Sequence, residues 1–166
     1  MTGMTGNDAL RVVPPALKGV YDKWHFAPAV VCRGMVYCSG VIGTSPDGEP
    51  PAGALAGAQH TTRDDGAPLG ALQAVRDPEA QFATAFMAVR AILNAAGADL
   101  DDIVELTSYH VDIDRHMPAF IRVSDGCLSP PWPAWTAVGV AGLVVPGGLV
   151  ELRAIAALPG ADATPV

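Results

Sequence analysis

The sequence is poor in charge, and poorest in positive charge. Ten Lys and Arg stand against seventeen Asp and Glu, for a net charge of −7. Only 16% of the 166 residues are charged, against about 25% in an average soluble domain. The acidic balance leaves no electrostatic footprint for nucleic acid. A chain of this length makes one domain with a sizeable core. So little charge predicts that part of its apolar surface is buried against another subunit. No uninterrupted apolar run reaches the ~18 residues of a membrane span. Cysteine is scarce and odd in number: Cys32, Cys38 and Cys127. Met1 to Asn7 carries neither a basic n-region nor an apolar h-region, so the chain is expected to be leaderless, reduced and cytoplasmic.

Glycine (18) and proline (15) are abundant instead. Together they make up about a fifth of the chain, short of the ~25–30% of low-complexity disorder. Eleven of them fall between Gly43 and Pro78. That stretch has no sustained period and reads as a long excursion, with a short helix near Ala52–Gln59. Residues 1–16 form a loose start with an apolar patch at Leu10–Val13, ended by Pro14-Pro15. Residues 17–158 form one domain with the insertion inside 43–78, and 159–166 a disordered tail.

Ala27–Val31 and Met35–Ile42 read as a hairpin turning at Arg33-Gly34. A two-residue turn pairs Cys32 with Met35 and Cys38 with Ala29, so Cys32 and Cys38 are not disulfide partners. Asp77-Pro78-Glu79 opens a helix, with Phe82, Phe86, Val89 and Leu93 on one face and Gly97 as its cap. Ile103–Ile113 reads as a strand with Val104, Leu106, Ser108, His110 and Asp112 on one face. A second helix covers Met117–Leu128. Trp135–Val140 and Leu149–Ala157 read as strands joined by a turn at Pro146-Gly147-Gly148. The order β-β-α-β-α-β-β predicts an α+β sandwich, one mostly antiparallel sheet with helices on one face.

Four blocks in this order resemble the RidA/YjgF family of small enamine/imine deaminases. They are Met35–Gly43, Gly97–Val104, Pro133–Val138 and Leu149–Ala156. The resemblance implies a chorismate-mutase-like fold assembled as a homotrimer, with an inner β-barrel and clefts between subunits. It implies hydrolysis of 2-aminoacrylate-type enamines and imines to 2-keto acids and ammonia, without metal or organic cofactor. Some members have been labelled ribonucleases, which the acidic balance here does not support.

The family's carboxylate anchor is an arginine in Pro-Ala-Arg. Here the motif is Pro133-Ala134-Trp135, and an indole cannot make the bidentate contact of a guanidinium. A small 2-imino acid is therefore not the expected main substrate. Trp135 reads either as an aromatic wall for a flatter substrate or as packing, as does Trp132. Glu151 aligns with the family acid beside the catalytic water, where a semi-apolar cleft would raise its pKa. Its alternative is a carboxylate held by Arg153 on the same strand face. Ser39 and Gly40 align with groups lining the cleft, and Ser39 could equally be a strand-end hydroxyl satisfied by backbone. Phe26 stands where active members often carry a tyrosine. Arg122, near a family asparagine, reads as a substitute anion anchor or as a solvated helix residue.

His25, His60, His110 and His116 lack metal-ligand spacing. His110 with Asp112 is a weak acid/base pattern beside the structural alternative, and the cysteines read as small core residues. The expected activity is a cofactor-free deaminase or related hydrolase acting on a small molecule. The alternative is a non-enzymatic trimeric binding protein using the same cleft. No membrane or nucleic-acid partner is expected.

Overall fold

A computed structural model describes residues 9–52 and 73–160. The helix expected over 52–59 lies, beyond Ala52, outside the described residues, as do His60 and residues 161–166 of the expected tail.

The hairpin forms as its turn dictates. Strands β2 (Ala29–Cys32) and β3 (Met35–Cys38) pair with Cys32 opposite Met35 and Cys38 opposite Ala29. Arg33 and Gly34 both have positive φ (50° and 73°), as a type I′ turn requires. Cys32 and Cys38 are accordingly not joined in a disulfide. Burial pushes the Cys38 thiol up to about 11, which leaves it inert. The apolar patch of the N-terminal segment is itself a strand, β1 (Leu10–Val12), paired antiparallel with β2. Beyond it a 3-10 turn (Pro15–Leu17) leads into helix α1 (Lys18–Trp24).

The strand expected over Met35–Ile42 is broken. After β3 the chain kinks at Ser39-Gly40 and resumes as β4 (Val41–Ile42). Both pieces lie antiparallel on the same partner, β9 (Val150–Ala157). The excursion leaves and returns through a two-stranded ribbon, β5 (Thr44–Ser45) with β6 (Gln73–Ala74).

Helix α2 spans Pro78–Ala96. The Asp77 carboxylate accepts a 2.8 Å hydrogen bond from the Ala80 N–H, and Gly97 closes the helix at φ 90°. Phe82, Phe86, Val89 and Leu93 are all fully buried against the sheet. Burying each aromatic ring contributes about 1.5–3 kcal/mol.

Strand β7 (Ile103–His110) is shorter than predicted, and it carries a bulge between Ile103 and Glu105. The extra residue turns Val104 outward and leaves Ile103, Leu106, Ser108 and His110 buried. Asp112 does not continue the strand face. It takes the left-handed conformation (φ 50°), and helix α3 (Ile113–Cys127) starts at once, four residues earlier than predicted. Pro118 lies inside α3 on its exposed side rather than opening it.

Strand β8 (Ala134–Gly139) runs parallel to β7. The sheet order is β1-β2-β3-β9-β7-β8. Strands β8 and β9 are therefore not a hairpin across Pro146–Gly148: β7 lies between them, and their connection crosses back over it. Helices α2 and α3 cover one face. On the other, Tyr37, Thr107, Tyr109, Glu151, Arg153 and Ile155 stay partly or well exposed, and no described helix packs over them.

Candidate functional site

The break between β3 and β4 builds a seat for Glu151. Gly40 passes so close to that side chain that a Cβ there would lie 1.9 Å from Glu151 Oε1. Cross-strand, Glu151 is flanked by Ile42 on β4 and Tyr109 on β7. Burial among these groups raises the Glu151 carboxyl above its ordinary value. The alternative partner is engaged elsewhere: Arg153 faces Glu105 at 3.9 Å. No ion pair to Glu151 occurs among the described residues.

Ser39 and Phe26 belong to the same corner. The Ser39 hydroxyl donates to the Ala27 carbonyl at 2.7 Å, and its N–H to that of Pro28 at 2.9 Å. This is the backbone-satisfied arrangement, and it leaves the oxygen's lone pairs for accepting. Phe26, next to Ala27, is well exposed.

Arg122 is not in this corner. It sits on α3 and pairs with Glu79 in the first turn of α2, both well exposed. Trp135 is also apart. It lies on β8, two strands from Glu151, roughly 10 Å in strand spacings, and on the opposite sheet face. Its indole N–H donates to Ser108 Oγ at 2.8 Å, and its ring lies 5.9 Å from Phe120 of α3 at a 31° tilt. Within one chain, then, Gly40 meets Glu151, Ser39 is its chain neighbour, and Phe26 is one residue from the Ala27 carbonyl that Ser39 bonds, whereas Trp135 and Arg122 do not join them.

Sequence reasoning missed the partners of Trp135. Ser108 and His110 are fully buried, and His110 Nε2 lies 2.8 Å from Ser108 Oγ. The ring of His110 stands edge-on to Phe120 at 4.7 Å. Its Nδ1 is the one buried side-chain polar atom without a hydrogen bond among the described residues. Burial, then the nearby His116, lowers its pKa. The period-two pattern of β7 placed Ser108 and His110 on one face. Nothing local showed that Trp135 would come alongside. An open cleft of about 520 Å³ beyond His110 is lined also by Asp112, Asp114 and Arg115. It includes none of the Glu151 corner. No group of His, Cys, Asp and Glu that could hold a metal occurs among the described residues. No described helix is long and apolar enough to cross a membrane.

The family model described as Endoribonuclease L-PSP matches residues 20–158. The chain belongs to this family, that of YjgF and Rid proteins. It is 29% identical over 149 residues to the RutC family protein YjgH of Escherichia coli (strain K12), covering 89% of this chain and 94% of that protein. A solved structure of protein YJGH superposes with a TM-score of 0.69 at 27% identity, over 92% of this chain and 98% of that one. RidA from the Antarctic bacterium Psychrobacter is similar at a TM-score of 0.59 and 28% identity, over 80% and 88% of the two chains. The α+β architecture with its mixed sheet is thus that of the Rid family.

Proposed function

We propose that this Rid-family chain is a cofactor-free imine or enamine deaminase, or a related small-molecule hydrolase, working in clefts between the subunits of a homotrimer. The observation that carries this is the Glu151 carboxyl, seated against Gly40, partly desolvated and without an ionic partner among the described residues. Such a group holds its proton to higher pH than an ordinary carboxyl and can return it. In the protonated form it donates to the imine nitrogen. As the carboxylate it takes a proton from the water that attacks the imine carbon. A C–O bond forms, and the C–N bond of the resulting carbinolamine breaks. Ammonia leaves with the shuttled proton, and a carbonyl compound remains.

Trp135 and Glu151 occupy opposite faces of one sheet, so a cleft holding both needs two copies of the chain. The partly exposed sheet face and the wholly exposed edge strand β8 supply surface for that contact. With Trp135 in the arginine's place, the substrate is an imine without the usual 2-aminoacrylate-type carboxylate.

The second possibility is a trimeric binding protein using the same cleft. It is favoured by the Ser39 hydroxyl, already donating to Ala27, and by Phe26 in place of a tyrosine. The test is ammonia release from an enamine and an imine generated in situ, 2-aminoacrylate and benzaldimine. Turnover of benzaldimine that collapses in Glu151→Gln supports the enzyme. Pyruvate formed from 2-aminoacrylate at the rate of an arginine-bearing family member would refute the substrate assignment. Binding without turnover of either would favour the binding protein.

A further inference from the structure

We infer that Ser108 and His110 are positioning residues that hold the Trp135 indole as a fixed platform for a small, flat organic cation. The inference rests on the proposal that Trp135 forms one wall of the cleft. It goes further in naming the charge of the ligand and the groups that set the wall.

Trp135 stands on an edge strand whose six residues are all exposed. At the end of the sheet order, β8 has no second strand beside it to fix the ring. Two contacts do so instead, the N–H bond to Ser108 and the tilted stack on Phe120. An indole N–H only donates, so Ser108 Oγ accepts it. The same oxygen lies 2.8 Å from His110 Nε2, so the three side chains form one buried chain, Trp135 to Ser108 to His110. His110 Nδ1 ends that chain without a partner among the described residues. Apolar residues at 108 and 110 would pack in this layer without any such orphan. A buried polar pair that costs stability is expected where it orients something, and the group it reaches is Trp135.

Held this way, the indole N–H is consumed, while Trp135 as a whole stays 43% exposed. The face of an indole carries negative potential and is the best aromatic partner for a cation. The surroundings agree in sign. The cleft at the Gly139 end of β8, which Trp135 itself does not line, carries Asp112 and Asp114 against one Arg115, and the whole chain is at −7. A guanidinium at this position selects an anion. The indole reverses that selection, and a protonated, delocalised C=N group has the shape and charge to fit.

The test is an NMR titration of the full chain, following the Trp135 indole N–H, which is assigned by its loss in Trp135→Phe. The probes are N-methylpyridinium, its neutral isostere toluene, and benzoate. N-methylpyridinium is expected to shift the signal and to bind about five- to tenfold tighter than toluene, with no response to benzoate. Equal affinities for the first two, or a response to benzoate, overturn the assignment of a cation. Ser108→Ala is expected to expose the N–H to faster exchange and to erase most of the cation preference. Ser108→Thr, which keeps the hydroxyl, is expected to restore it. A Ser108→Ala protein that binds N-methylpyridinium like the parent removes the positioning role. If Ser108→Ala fails to fold, the comparison of parent with Ser108→Thr and the three-probe titration still decide. Light scattering on the same sample separates the two ideas. A monomer that prefers the cation leaves this inference standing and defeats the inter-subunit cleft, and a trimer without that preference does the reverse.

Discussion

Replacing Gly40 with alanine is expected to unseat the Glu151 carboxyl while leaving the fold nearly as stable. The new Cβ would stand 1.9 Å from Oε1 and 2.6 Å from Cδ, where ordinary contact begins at 3.4 Å. The carboxyl must therefore retreat by about 1.5 Å. Gly40 is not in the left-handed region, so alanine fits its backbone and gains about 0.4–1 kcal/mol by restricting the unfolded chain. Forcing Glu151 off its preferred rotamer costs about 0.5–1.5 kcal/mol. The two nearly cancel, leaving the change in stability within about 1 kcal/mol and the melting temperature within about 4 °C. Outside its seat the carboxyl regains water, and its pKa falls toward the ordinary value. Carbon-detected NMR of the Glu151 carboxyl against pH reads this directly. A misplacement of this size is expected to lower turnover by roughly 10²-fold. An unchanged Glu151 titration in a folded Gly40→Ala protein would refute the seat. A loss of more than about 3 kcal/mol would show that the site is backbone architecture instead.

Three further outcomes follow from the same geometry. Glu151 binds its proton more tightly in the fold than in the unfolded chain, so its ionisation costs stability above pH 4.5 and nothing well below it. Glu151→Gln should therefore melt higher than the parent at pH 8, with the gap closing in acid; a lower melting point at pH 8 contradicts this. His110 has its pKa lowered by burial, so stability should fall as pH drops below about 6.5, where the unfolded chain binds the proton first. A His110→Gln variant should show a flatter acid limb in urea titrations, and one as steep as the parent's would place the effect elsewhere. Phe86, fully buried in the α2 face, should cost about 3–5 kcal/mol when cut to alanine. A loss under 1 kcal/mol in urea unfolding would mean that the core is not packed as described.

What the residues revealed beforehand divides along local and non-local lines. Helix α2 was readable from end to end because Asp77, Pro78 and Gly97 act within a turn of themselves. The β2–β3 register followed from a two-residue turn at Arg33-Gly34. By contrast, β9 slots between β3 and β7, a pairing over more than a hundred residues that no local signal encodes. The start of α3 was hidden by Pro118, which mimics a first-turn proline but sits on an exposed face within the helix. The bulge at Val104 reversed one expected inward residue, and only pairing with β9 exposes it. Of the candidate site residues that the family resemblance suggested, Gly40 lies against Glu151, and Ser39 is next to it in the chain. Arg122 was not separable from a surface helix arginine until Glu79 appeared beside it. The Ser108–Trp135 bond depends on the parallel register of β7 and β8, which spans 27 residues.

A cleft holding both Glu151 and Trp135 needs two copies of the chain, because the two residues face opposite ways within a single copy. Light scattering of the purified chain tests this most directly. The expected mass is three times the 17.1 kDa of one chain, unchanged on dilution through the micromolar range. A mass of one chain across that range would leave Glu151 without its opposite wall and contradict the shared site.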